Sequence, residues 1–334
     1  MSAVAGSKAE GSSGSNFGNL FVGASNDVDE QATLLRGWNQ SYAQMSAGKF
    51  FGTVKEVQLR DSRLFTEFTG QTLLQYGVLP PDLIAIGLPL KMSGPACFCG
   101  MPDEPGALHV FSGGDGFEFY SPREMTMAGL VVPRAALEDM LFDGARDGVW
   151  AQFDFAHLAR VDPAASAMIK DFIAGVLQIA EASPHLVLNG PIMNTLHNGL
   201  VSNVAALVES RADLAPDAAA PARRWAVVAR ARETIHSRPD EPISIAELCR
   251  VVGVSRRTLQ YCFQDVLNVS PASFLRAVRL NGVRRMLRTA TSVTEAAAYW
   301  GFWHFGHFSR DYAAMFGELP SQTHRRFNPR RKDG

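Results

Sequence analysis

Residues 243–267 read ISIAELCRVVGVSRRTLQYCFQDVL. Ile243 to Val252 is a short helical pattern that Gly253 closes, and Ser255 offers an N-cap for a second helix running through Leu267. The same punctuation returns in VTEAAAYWGFWHFGHFSRDYAAMF, residues 293–316, where an Ala-rich helix from Val293 to Trp300 is closed by Gly301. A further helix runs from about His304 to Phe316. Between the two units, Pro271 opens a longer helix to about Thr289, in which Phe274, Val278, Leu280 and Met286 can face a core. Two helix-turn-helix units, 245–267 and 293–316, joined by one long helix are a DNA-binding design. A connecting helix of that length spans roughly 28 Å at about 1.5 Å per residue. Successive major grooves on one face of B-DNA lie about 34 Å apart, so each unit can enter its own groove.

Charge supports this reading. The formal net charge of -1 is a cancellation: residues 1–220 hold 13 Lys and Arg against 24 Asp and Glu, whereas residues 221–334 hold 19 against 9. Of those 19 bases 18 are arginine, whose planar fork suits phosphate and guanine. A basic segment joined to an acidic one points to a polyanion partner for the basic part alone.

Upstream, residues 1–25 are rich in Gly, Ser and Ala and are expected to form a disordered tail. From Lys49 to Val132, Phe, Val and Leu recur between Gly and Pro, the punctuation of short strands, with Thr53 to Leu59 and Met127 to Val132 as strand candidates. Amphipathic helices follow at Ala164 to Ala182 and at about Met193 to Val208, and the Ala-, Pro- and Asp-rich stretch 211–223 suits a linker. The expected domains are therefore 26–210 and 224–334. No secretory h-region or long apolar run is present, so a cytoplasmic protein without membrane contact is expected. Cys97, Cys99, Cys249 and Cys262 lack disulfide or zinc spacing and read as reduced thiols.

The pieces VSRRTLQYCF (254–263), SPASFLRAVRLNGVRRMLR (270–288) and AAAYWGFWHFGHFSRDYAAMFGELPSQTHRR (296–326) resemble the AraC/XylS family of transcription regulators. WNQSYAQMSAGKFFGTVKEVQLRDSRLFTEFTG (38–70) looks like the sensor of the family's ethanolamine operon regulators. The resemblance implies an α+β chain of two domains: an N-terminal cupin-like β-barrel with trailing helices, and a C-terminal all-α tandem helix-turn-helix domain. It implies double-stranded DNA and RNA polymerase as partners and a small-molecule effector, ethanolamine or adenosylcobalamin. It also makes the helix at 164–182 a candidate homodimer seam.

The family pattern turns Arg257, Gln260 and Tyr261 of the first reader helix towards bases, and His304, Phe305, Ser309 and Arg310 occupy or flank the matching positions of the second. Arginine reads guanine O6 and N7, glutamine reads adenine, and Tyr261 meets either a thymine methyl or a phosphate. Because Phe305 and Gly306 offer few hydrogen bonds, the second helix is expected to lean on shape. Candidate phosphate contacts are Arg256, Arg284, Arg285, Arg288, Arg325 and Arg326. For the effector, the aromatics and acids Phe51, Phe65, Glu67, Glu118 and Tyr120 are candidate pocket walls, a carboxylate beside an aromatic face being what a cationic amine needs.

Catalysis finds little support. His109 is the one histidine between Lys49 and Val132, too few for a metal cupin, and no GxSxG, P-loop or Rossmann fingerprint occurs, so no catalytic or metal residue is assigned. Two alternatives remain beside a ligand-responsive activator of a catabolic operon. One is a non-sensing dimeric DNA-binding regulator. The other is a repair protein that transfers alkyl groups to Cys97 or Cys99, for which an activated thiolate would be required.

Overall fold

Along Gly52–Leu59 Val54 turns into the space between the sheets and Val57 to the opposite face, while Thr53, Lys55 and Gln58 are partly exposed, so the strand buries apolar groups on both faces. Strands of this kind build the N-terminal part of the computed structural model, which describes residues 12–17, 19–103, 106–111, 116–140, 157–210, 219–238 and 243–328. In chain order they are β1 (Ser12–Phe17), β2 (Leu20–Ser25), β3 (Asn39–Gln44), β4 (Gly52–Leu59), β5 (Ser62–Thr69), β6 (Leu73–Val78) and β7 (Leu83–Lys91). Then come β8 (Cys97–Phe98), β9 (Met101–Pro102), β10 (Ala107–Phe111), β11 (Phe117–Ser121), β12 (Met125–Pro133) and β13 (His157–Arg160). The larger sheet has the order β1-β2-β4-β5-β12-β7-β10-β13 and the smaller β3-β6-β11-β8-β9, and every pairing is antiparallel.

The two sheets face each other across an aromatic core that includes Phe65, Phe98, Phe111, Phe117 and Phe119. Helix α1 (Val28–Leu34) closes one end and adds Leu34 to this core. The outer face of the larger sheet carries Val57, Leu64, Ile86 and Leu130 against α2 (Arg134–Glu138), α3 (Pro163–Ala182), α4 (Pro184–Leu188) and α5 (Gly190–Ser210). Facing sheets with trailing helices are the N-terminal architecture that the sequence reading expected.

The tail expectation is corrected: β1 and β2 are paired strands of the larger sheet, and Leu20 is buried in its core. Low apolar content misled there because backbone pairing holds most of the hairpin, with Leu20 as its buried apolar anchor. Residues 1–11 and 18 lie outside the described residues, as do 211–218 of the expected linker; helix α6 (Ala219–His236) already covers the linker's last residues.

The helical part continues with α7 (Ile245–Val252), α8 (Arg256–Leu267), α9 (Pro271–Met286), α10 (Val293–Tyr299), α11 (Phe305–Phe316) and α12 (Pro320–Phe327). Gly253 sits at φ 78° and its N–H donates to the Cys249 carbonyl, a left-handed cap that a side chain resists. Ser255 accepts from Thr258 N–H at 3.1 Å, starting α8 as read from sequence. The connecting helix α9 is shorter than expected, 16 residues or about 24 Å. A single core formed by Leu259, Phe263, Phe274, Phe308 and Tyr312 joins both units and extends to Ala43, Leu74 and Tyr120 on the smaller sheet.

Gly282 of α9 lies against the Trp300 ring so closely that a Cβ would enter it. Alanine normally stabilises a helix interior by about 1 kcal/mol over glycine. Overpacking costs about 1–3 kcal/mol, and here it should win. Gly282→Ala is expected to lower stability by about 1 kcal/mol or more in a denaturant titration, and a stabilised variant would show that the Trp300 ring yields freely.

Candidate DNA interface and effector cavity

Helix α8 is amphipathic: Leu259, Cys262 and Phe263 face the core, and Arg256, Arg257, Gln260 and Tyr261 are exposed. Tyr261 is 58% exposed and lies under the Arg224 guanidinium at 5.6 Å, which in turn bonds Asp265 at 2.5 Å. On α11 and its N-cap, Phe308 and Tyr312 point inward while His304, Phe305 and Arg310 are exposed and Ser309 is half-buried. All seven residues expected to read bases therefore reach the surface, and no contact with the N-terminal part covers them among the described residues. Trp303, 65% exposed beside Phe305, was not anticipated and enlarges the apolar tip of the second unit.

The phosphate candidates divide. Arg256, Arg325 and Arg326 are exposed, although Arg326 also pairs with Glu318. Arg284, Arg285 and Arg288 instead turn towards the N-terminal part. Arg284 is buried, donates to Asp27 Oδ2 from Nε at 3.1 Å and Nη2 at 2.9 Å, donates to Glu318 Oε1 at 2.7 Å, and lies over the Phe316 ring. Arg285 donates to Asp29 Oδ1 at 2.9 Å and to the Tyr42 carbonyl at 2.6 Å; Arg288 donates to Asp27 Oδ1 at 2.7 Å. In this conformation these three hold carboxylates, and Arg284 alone among them is buried. A basic helix face is legible in sequence, but its partners lie some 250 residues away. Burial pushes the Asp27 carboxyl up, yet Arg284 and Arg288 outweigh it and hold the group below its ordinary value.

Between the sheets lies a cavity of about 30 Å3, walled by Trp38, Phe65, Phe111, Phe117, Phe119 and Met127. Gly129 leaves the room that the Phe65 ring fills, where any Cβ would collide. Trp38 stands edge-on to Phe65, Phe111 and Phe117 at 5.2–6.0 Å. One acid enters this apolar space. Glu67 accepts from Gln31 Nε2 at 2.9 Å and from the Tyr42 hydroxyl at 3.1 and 3.2 Å. Gln31 Oε1 is buried without a partner. Burial raises the Glu67 carboxyl to about 7, although the Gln31 and Tyr42 bonds favour its charge.

Of the five residues expected to wall a pocket, Phe65 and Glu67 wall this cavity, and Glu118 lines a separate one with Tyr76, Trp225 and Arg232. Phe51 is 47% exposed on the surface. Glu118 and Tyr120 alternate with the inward Phe117 and Phe119 on β11 and so point out of the barrel: Glu118 pairs with Arg232, and the Tyr120 hydroxyl donates to the Leu267 carbonyl at 2.9 Å. Gln40, Tyr42 and Gln75 of the wall, and Gln31 behind Glu67, were missed, since the sequence around them carries no signal that separates a pocket polar group from a surface one. Burial pushes the Cys99 thiol up to about 12 and the Cys97 thiol higher still, the opposite of what an acceptor thiolate requires. Among the described residues no group of His, Cys, Asp and Glu is placed to hold a metal, and no helix is long and apolar enough to cross a membrane.

Residues 248–326 match the helix-turn-helix domain family. A probable thc operon regulatory protein of Rhodococcus erythropolis is 31% identical over 211 residues, 60% of this chain and 62% of the relative. The HTH-type transcriptional regulator GbdR of Pseudomonas aeruginosa is 38% identical over 91 residues, 27% of this chain and 24% of the relative. Among solved structures, a probable AraC family transcriptional regulator from Rhodopseudomonas palustris CGA009 is 38% identical, covering 30% of this chain and 96% of its own at a TM-score of 0.29. The chain thus spans less than two thirds of the length of either curated relative. Residues 248–326 are a helix-turn-helix domain shared with bacterial transcription regulators.

The raised Glu67 group has a signed consequence. Its neutral form is the one folding favours, so its contribution is complete below the ordinary value of 4.5 and is lost as pH rises to about 7. The size is on the order of 3 kcal/mol. Glu67→Gln, uncharged throughout, should flatten the fall in stability between pH 5 and 8 measured by chemical denaturation. An unaltered profile would mean that another group titrates.

Proposed function

We infer that this chain is a DNA-binding transcription regulator of the AraC/XylS type, an effector-responsive activator that uses both helix-turn-helix units of one chain. The observation that carries this is the pairing of two exposed reader faces on one core in the basic third of the sequence. Arg257 suits guanine, Gln260 suits adenine, and Tyr261 and Phe305 suit thymine methyls, with His304, Ser309 and Arg310 beside them. Arg256, Arg325 and Arg326 position the domain on phosphates.

The Glu67 cavity is the effector site. A carboxyl among aromatic walls favours a small amine, and ethanolamine, suggested by the likeness of residues 38–70 to ethanolamine operon regulators, fits that chemistry. A cavity of about 30 Å3 argues against a corrinoid such as adenosylcobalamin as the occupant. The partners are double-stranded DNA, RNA polymerase at the promoter, and a second copy through α3, whose Met168 is exposed.

The test is selection of binding sites from random duplex DNA by the full chain. Two preferred elements about one helical turn apart are expected. Arg257→Ala should cost about 1–3 kcal/mol at the selected site and relax preference at one base pair. Equal binding to every duplex would refute sequence reading, and a uniform loss in the variant would make Arg257 a phosphate contact.

A further inference from the structure

Helix α1 touches both halves of the molecule. Its N-cap, Asp27, and its first-turn Asp29 hold Arg284, Arg285 and Arg288. One turn on, Gln31 donates into the cavity to Glu67. Tyr42 on β3 repeats the arrangement, its hydroxyl on Glu67 and its carbonyl on Arg285. The same carboxyl therefore anchors both elements that grip the arginines.

The cavity is small, about 30 Å3. A larger occupant must move a wall. The sheet walls β5, β6, β7, β11 and β12 are tied through ladders on both sides, whereas α1 is seven residues long and is held at the cavity end by the Gln31 bond to Glu67 and by the Gln40 side chain donating to the Ala32 carbonyl. Of the two elements whose side chains bond Glu67, β3 is held in a ladder with β6 and α1 in none, so α1 is the one that yields.

We propose that α1 is a lever between cavity and DNA-binding domain: an occupant against Glu67 displaces Gln31 and Tyr42, α1 shifts, and Asp27 and Asp29 release Arg285 and Arg288 to DNA phosphates. The empty protein is then the restrained form, because α1 carboxylates occupy guanidinia that would otherwise add to the DNA contact. This rests on the reading of the chain as a DNA-binding regulator with its effector site at Glu67. The base-reading faces of α8 and α11 stay open in both states, so the lever changes sequence-independent affinity and leaves base preference alone.

The experiment measures the salt dependence of binding of the full chain to a fixed duplex, without any effector. Asp27→Asn with Asp29→Asn keeps the helix cap, since asparagine caps as well as aspartate, and removes both charges. Each additional arginine–phosphate pair steepens the plot of log K against log salt by about 0.9. The double variant should be steeper than the parent by about two. Asp29→Asn alone, a milder change should the double variant not fold, should be steeper by about one. Glu67→Leu, which frees Gln31 and Tyr42 from the cavity side, should steepen the slope likewise and add nothing to the double variant. Slopes equal to the parent's in the aspartate variants would overturn the restraint. A parental slope in Glu67→Leu alone would overturn its link to the cavity. Failure of the parent to bind DNA at all would instead sink the regulator reading itself, so the two failures are distinguishable.

Discussion

One wall, formed by β3, β6 and β11, serves both halves of the molecule, and the two-residue period of a strand ties its faces together. On β11, Phe117 and Phe119 enter the barrel while Glu118 and Tyr120 reach Arg232 and the Leu267 carbonyl. On β6, Gln75 faces the cavity and Leu74 joins the core of the helical domain. On β3, the Tyr42 hydroxyl meets Glu67 and Ala43 packs on the helices. A slip of one residue in any of these strands would exchange cavity and interface. The register that fixes the effector site therefore also fixes where the DNA-binding domain sits.

Beside the apolar contact of Ala43 and Leu74, the contact across that wall is strongly polar. Withdrawing Asp27 and Arg284 from water costs several kcal/mol per ion, which only well-made hydrogen bonds offset. Asp27 collects them: Asp29 and Glu30 N–H groups and Arg288 on one oxygen, two nitrogens of Arg284 on the other. Asn281 adds a reciprocal pair, its side chain accepting from Gln44 N–H at 2.9 Å and donating to the Gln44 carbonyl at 2.8 Å. Gly48 N–H reaches the carbonyls of Ala314 and Met315 on α11. The N-terminal part thus holds the first unit through Leu267, the second through Ala314 and Met315, and the helix between them through Asn281 and the arginines.

The helical half was legible because its signals are local. A glycine that must adopt positive φ, a serine three residues before the N–H it caps, and apolar steps of three and four are all written within a dozen residues of one another. The barrel was legible as alternation and turns, and Glu67 and Phe65 line one cavity because they lie one pleat apart on one strand. What failed needed distance. Whether Glu118 faces cavity or helix depends on which face of β11 the C-terminal domain covers, and the fate of Arg284 depends on Asp27. The N-terminal hairpin was missed for another reason: β1 and β2 pair through backbone groups that composition does not reveal.

An interface closed by guanidinium and carboxylate differs in kind from one closed by leucine. Apolar packing would hold the two halves with no regard to what approaches the helical domain. An Asp27–Arg288 or Asp29–Arg285 pair can be exchanged for an Arg–phosphate pair of nearly the same geometry, because both acceptors present oxygens to the same planar fork. Carboxylates on α1 and phosphates on DNA are thus alternative ligands of the same side chains. Arg284 is the exception that gives the exchange an anchor: buried, shared between Asp27 and Glu318 and stacked on Phe316, it has no open side for a phosphate. Arg284 keeps the halves attached while Arg285 on α9 and Arg288 just past its end remain free to change partners, which lets a small shift of α1 alter affinity without taking the molecule apart.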